Sequence, residues 1–148
     1  MDRSMGDRHV DYRIEAITLP VGDVDRAKAF YEQAGWNVDV DTVPAPENRV
    51  VQLTPPGSDC SITFGTGMPQ SEPGSYVNTY LVVSDIEAAH KDLENRGIPV
   101  GDIYHWAEQR QTPGPDPKRG DYGSSADFAD PDGNVWLLQE VPSRSSER

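Results

Sequence analysis

Two stretches of this chain are nearly the same. Residues 19–36 read LPVGDVDRAKAFYEQAGW, and residues 81–98 read LVVSDIEAAHKDLENRGI. In each, an apolar run ends in a small residue and an aspartate, and a helix-like segment then runs to a glycine. Asp23 and Asp85 are 62 positions apart, and so are Gly35 and Gly97. Two coincidences at one offset identify an internal duplication. A duplication constrains the architecture: two copies of one supersecondary unit, neither with enough core to stand alone, share one domain of 148 residues.

The first copy opens with IEAITLPV, a strand pattern in which Ile17, Leu19 and Val21 alternate with Ala16, Thr18 and Pro20. Asp23 is placed to cap a helix, its carboxylate accepting from the free amides of the first turn. Val24, Ala27 and Tyr31 share one face of that helix, which Gly35 ends in a left-handed conformation. Strands are expected at about 36–43, 48–54 and 60–65, separated by PAPEN and TPPGSD. The second copy repeats the order. VNTYLVV is a strand, Asp85 a cap, and Ile86, Ala89 and Leu93 a buried stripe, with strands near 100–106, 123–129 and 134–141.

The resulting plan has a flexible tail over 1–12, a first βαβββ module over 13–65, a linker over 66–75, a second module over 76–141 and a flexible tail over 142–148. The second module carries a loop insertion at about 107–122, rich in Pro, Gly and charge, which reads as a lid or binding loop. The fold class is α+β, with tandem βαβββ modules forming a curved mixed sheet around an internal cavity. Ile17, Leu19 and Val21 are expected under the helix, and Ala16, Thr18 and Pro20 towards the hollow.

Composition narrows the partners. A net charge of −12 argues against nucleic acid, which needs clustered Lys and Arg. It is compatible with a cationic ligand, although a soluble surface accounts for it more simply. No apolar run approaches the roughly 20 residues that span a membrane, and MDRSMGDRHVDYR lacks the apolar middle of a signal peptide. With Cys60 as the single cysteine, these features predict a cytoplasmic protein.

The two duplicated segments, closed by DFADPDGNVWLLQE, resemble the glyoxalase/bleomycin-resistance proteins of the vicinal oxygen chelate superfamily over about residues 13–141. That fold hosts isomerases, dioxygenases, thiol transferases and drug-binding proteins, so it does not by itself fix an activity. The resemblance implies metal-ligand positions at Ala16, Asn78, Leu137 and about Ser61. Ala and Leu cannot ligate, and neutral Asn and Ser are feeble ligands for a transition ion. No metal and no other cofactor is therefore expected. Glu140 is no substitute, because it lies three residues along the strand from Leu137 and faces the other way.

Other motifs carry no chemistry. In DPDGN, Asp130 and Asp132 fit a calcium loop, but Phe128 and Gln139 fall on its first and last ligand positions. RGD at 119–121 reads as a chance tripeptide, and GTG at 65–67 lacks the helix that phosphate binding requires. His9 lies in a tail, His90 is expected at solvent, and Cys60 has no local histidine to activate it.

The hollow is expected to be lined by Thr18, Thr63, Asn78, Tyr80, Leu137 and Gln139, with Tyr104, Trp106 and Tyr122 flanking the insertion. Such a surface suits a flat aromatic or polycyclic molecule held by stacking and a few directional bonds. The expectation is sequestration of a natural product, as in bleomycin-resistance proteins, or metal-independent catalysis with Tyr80, His105 or Asp127 as acid or base. The alternative is a metal-dependent lyase or dioxygenase with displaced ligands. The resemblance also implies a homodimer.

Overall fold

In the computed structural model, which describes residues 9–144, the duplication becomes two βαβββ modules. The first contains β1 (Ala16–Thr18), α1 (Val24–Gln33), β2 (Asn37–Ala45), β3 (Asn48–Thr54) and β4 (Ser61–Thr66). The second contains β5 (Thr79–Val83), α2 (Ile86–Asn95), β6 (Tyr104–Ala107), β7 (Arg110–Pro113), β8 (Ser124–Ala129) and β9 (Val135–Glu140). The strands order β1-β4-β3-β2 in one sheet and β5-β9-β8-β6-β7 in the other. In each module the first strand runs parallel to the last, and the other pairs are antiparallel. The architecture is α+β, as expected. Within one chain, among the described residues, no strand of one mixed sheet pairs with a strand of the other. No helix among them is long and apolar enough to cross a membrane. The tails expected over 1–12 and 142–148 lie outside the described residues, apart from 9–12 and 142–144.

Both helices form for the same local reasons. Asp23 accepts a hydrogen bond from the Arg26 amide (3.1 Å), and Asp85 accepts from the amides of Glu87 (3.0 Å) and Ala88 (3.1 Å). Gly35 and Gly97 end the helices at φ 94° and 79°, in the left-handed region that side chains avoid. Val24, Ala27 and Tyr31 of α1, with Ile86 and Leu93 of α2, are buried. They join one core with Val51, Leu53 and Phe64 of the first sheet and Phe128, Trp136 and Leu138 of the second. Trp36 and Trp136 meet edge to face across the modules, with centroids 5.3 Å apart. The two units thus pool the core that each lacks.

A buried polar joint fixes how they meet. Asp130 Oδ1 accepts from the amides of Asp132 and Asn134 (both 2.9 Å). Its Oδ2 accepts from the Tyr31 hydroxyl (2.8 Å) and Asn134 Nδ2 (2.9 Å). Trp136 Nε1 donates to the Tyr31 oxygen (2.9 Å), and Asn134 Nδ2 also donates to the Pro20 carbonyl (2.8 Å). Burial, followed by the Asp130 charge, pushes the Tyr31 phenol well above its ordinary pKa, so it remains a donor. DPDGN is a structural turn whose acid serves packing.

Several expectations give way. Alternation stops when β1 ends at Thr18: Pro20 is fully buried and its carbonyl takes the Gly74 amide (3.2 Å), while Ile17 is 43% exposed. A three-residue strand is too short to carry the pattern further. The insertion is also not structureless. Part of it is the β6–β7 hairpin, turned by Glu108 and Gln109 at φ 53° and 67°. Such turns favour Gly and Asn, so Glu-Gln gives no sign of one. His90 is partly buried and reaches the Gly101 carbonyl at 2.9 Å.

The rest of the insertion is fastened rather than free. The Asp116 carboxylate accepts the Lys118 (3.1 Å) and Gly120 (3.0 Å) amides. Arg119, in the tripeptide read as chance, donates to both oxygens of Glu140 (2.9 and 2.6 Å) and to Glu87 (3.0 Å). Glu140 is 1% exposed and also accepts from the Ile86 amide at 2.9 Å. The Arg119 guanidinium holds the Glu140 carboxyl below its ordinary value of 4.5, against the cost of burial. With the folded pKa depressed, this stabilisation is complete above the unfolded value and is lost as pH falls through the folded one.

Glu140→Gln is therefore expected to cost about 1–2 kcal/mol at neutral pH, discounted because the Arg119 side chain is 37% exposed. Urea unfolding across pH should show the deficit shrinking in acid. A deficit independent of pH would assign it to packing alone.

Candidate functional site

Each sheet has one face on the core and one open face. On the second sheet, Tyr80 pairs with Leu137 and Leu137 with Asp127, while Val82 pairs with Gln139 and Gln139 with Ser125. Ser125 in turn pairs with Tyr104, and Trp106 lies two residues along the same strand. Strand alternation puts all of these on the face opposite Trp136, Leu138 and Phe128. Tyr80 is 56% and Trp106 64% exposed, so this face presents aromatic surface to solvent. The Tyr104 and Trp106 rings meet edge to face at 6.4 Å.

The Tyr104 hydroxyl donates to Asp127 Oδ1 (3.2 Å). Burial and then the Asp127 charge raise the Tyr104 pKa, keeping it a proton donor. Beside this pair is a solvent-open depression of about 410 Å³, lined by residues that include Asp102, Tyr104, Gln111, Pro113 and Asp127.

The open face of the first sheet is hydroxyl-rich, with the Asp39 carboxylate at its border, bound by Thr54. Thr18 pairs with Thr63 and Thr63 with Gln52, while Ala16 pairs with Ser61. The Ser61 hydroxyl lies 2.6 Å from that of Thr54.

The structure thus gathers Tyr80, Tyr104, Trp106, Asp127, Leu137 and Gln139 on one face, and pairs Thr18 with Thr63 on another. Asn78 is exposed just ahead of β5. His105 points to the other side of β6, where its Nδ1 donates to the Gly114 carbonyl (2.7 Å) and anchors the loop. Tyr122 accepts from Arg144 Nη2 (2.9 Å) near the C-terminal segment. Sequence reasoning missed Asp102, Ser125, Gln52 and Gln111. Asp102 was within reach, since it alternates with Tyr104 along one line of chain.

The positions at which the resemblance implies metal ligands do not fit a divalent transition ion. Ala16 and Leu137 have no donor atom, Asn78 offers a neutral amide, and the Ser61 hydroxyl is already hydrogen bonded. Among the described residues, no group of three or more His, Cys, Asp or Glu side chains is arranged so that it could hold a metal ion.

The fold has counterparts among known proteins. The chain is 29% identical to TnmS3, an antibiotic binding protein from Streptomyces sp. CB03234, with a TM-score of 0.68 over 90% of this chain and 99% of that one. A glyoxalase/bleomycin resistance protein from the same Streptomyces strain is 30% identical, with a TM-score of 0.64 over 86% of this chain and all of its own. YetH, an uncharacterized protein of Bacillus subtilis strain 168, is 22% identical over 131 residues, which cover 86% of this chain and 98% of that protein. A family model matches residues 13–138. The chain belongs to the Glyoxalase/Bleomycin resistance protein/Dioxygenase superfamily.

Proposed function

We propose that this protein is a metal-independent binder of a small flat aromatic or polycyclic compound, taken up on the open face of the second sheet. The observation that carries this reading is the strand face on which Tyr80 pairs with Leu137, and Gln139 is joined through Ser125 to Tyr104, with exposed Tyr80 and Trp106 rings. Rings supply stacking area, and neutral hydrogen-bonding groups supply direction. Similarity to an antibiotic binding protein favours sequestration of a natural product over turnover. The single cysteine suits a reducing cytoplasm as the place of action.

One chain leaves both open faces uncovered. A homodimer that sets the Thr18–Thr63 face of one protomer over the Tyr80–Leu137 face of its partner would enclose the ligand. Such a dimer would also cover the exposed Val82 and Trp106.

A thermal-shift screen of polycyclic natural products against chelator-treated protein tests the reading, because a ligand stabilises the native state according to its occupancy. Stabilisation that is unchanged by added divalent metal is the expected result. A stoichiometric metal ion in the purified protein, with binding that depends on it, would overturn the reading. Light scattering should give twice the 16.3 kDa chain mass.

A further inference from the structure

The binding face is electrically one-sided. Among the described strands, the only Lys or Arg residues are Arg49 and Arg110. Arg49 turns to the helix side, where it binds Asp41 and Asp25. Arg110 pairs with Ala107, which alternates with Trp106, and so points away from the aromatic face. Neither open face therefore carries a strand cation.

Carboxylates are present on both. Asp127 is exposed at the centre of the second sheet's open face, and Asp102 lines the same depression. Asp39, bound by Thr54 and by Asn37 (2.7 Å), borders the first. The Tyr104 hydroxyl donates to one oxygen of Asp127, fixing the carboxylate at the Tyr104 side chain, whose ring meets Trp106 edge to face. The Tyr104 ring and the carboxylate together form a corner that attracts a cation twice, through the ring quadrupole and through a charge-assisted hydrogen bond.

We propose that the ligand is an aromatic compound bearing a protonated amine, with the amine seated at Asp127 beside the Tyr104 ring. The proposal rests on the aromatic-binding reading above and specifies its ligand class. The surrounding acidity has a use in it: an anionic aromatic is repelled from the face, and a cationic one is drawn in.

Fluorescence titration with three matched probes tests it: anthracenylmethylammonium, anthracenylmethanol and anthracene carboxylate. The ammonium probe is expected to bind about tenfold or more tightly than the alcohol, and the carboxylate most weakly. Asp127→Asn should cut the ammonium-to-alcohol affinity ratio about fivefold or more, whereas Asp59→Asn, at an exposed site elsewhere, should leave the ratio unchanged. Equal affinities for the three probes, a preference for the carboxylate, or a ratio unmoved in Asp127→Asn would overturn the proposal while leaving aromatic binding intact. Failure of all three probes to bind would overturn both.

Discussion

Replacing Asp130 with alanine is expected to destabilise the protein by about 3–5 kcal/mol and to lower Tm by on the order of 10 °C. One carboxylate satisfies four donors: the Tyr31 hydroxyl, Asn134 Nδ2, and the amides of Asp132 and Asn134. Alanine leaves them without their acceptor, in a joint where two modules meet and water has little access. Each buried donor left unmet costs about 1–3 kcal/mol, and some local relaxation will reduce the sum. Tyr31→Phe should cost less, about 1–3 kcal/mol, because it removes a donor to Asp130 together with the acceptor for Trp136 Nε1. Urea denaturation monitored by tryptophan fluorescence measures both. A loss below about 1 kcal/mol for Asp130→Ala would mean that apolar packing alone holds the modules together.

The second large effect is on binding. Truncating Tyr80 and Trp106 together is expected to weaken affinity for a polycyclic ligand by about a hundredfold, with about tenfold from each. The estimate follows from the ring area a stacked ligand would cover, at about 25 cal/mol per Å². Because both side chains are more than half exposed, stability should move by no more than about 0.5 kcal/mol. Calorimetric titration of the single and double variants gives the comparison. Unchanged affinity in the double variant would place the ligand elsewhere.

The duplication was legible because it rests on local chemistry. A capping aspartate, a helical apolar stripe and a left-handed glycine each announce themselves within a few residues. The row on the second sheet was also legible, since period-2 alternation assigns Tyr80, Leu137 and Gln139 to one face once the strands are placed. What escaped depended on distant partners or unusual turns. Nothing near Arg119 in sequence reveals that Glu140 and Glu87 receive it, 21 and 32 residues away. Glu108 and Gln109 make a tight turn with residues that rarely do so, which hid β7 inside an apparent loop. His105 was drawn to the site by its neighbours Tyr104 and Trp106, although the same alternation places it on the opposite face.

Amide-resolved NMR of chelator-treated protein, titrated with a polycyclic aromatic amine, addresses the core of this reading most directly. Metal-free binding on the open face predicts that the largest shifts fall at Tyr80, Asp127, Leu137 and Gln139 of the second sheet and at Thr18 and Thr63 of the first. Shifts that arise only after a divalent ion is restored, or that avoid both faces, would contradict it.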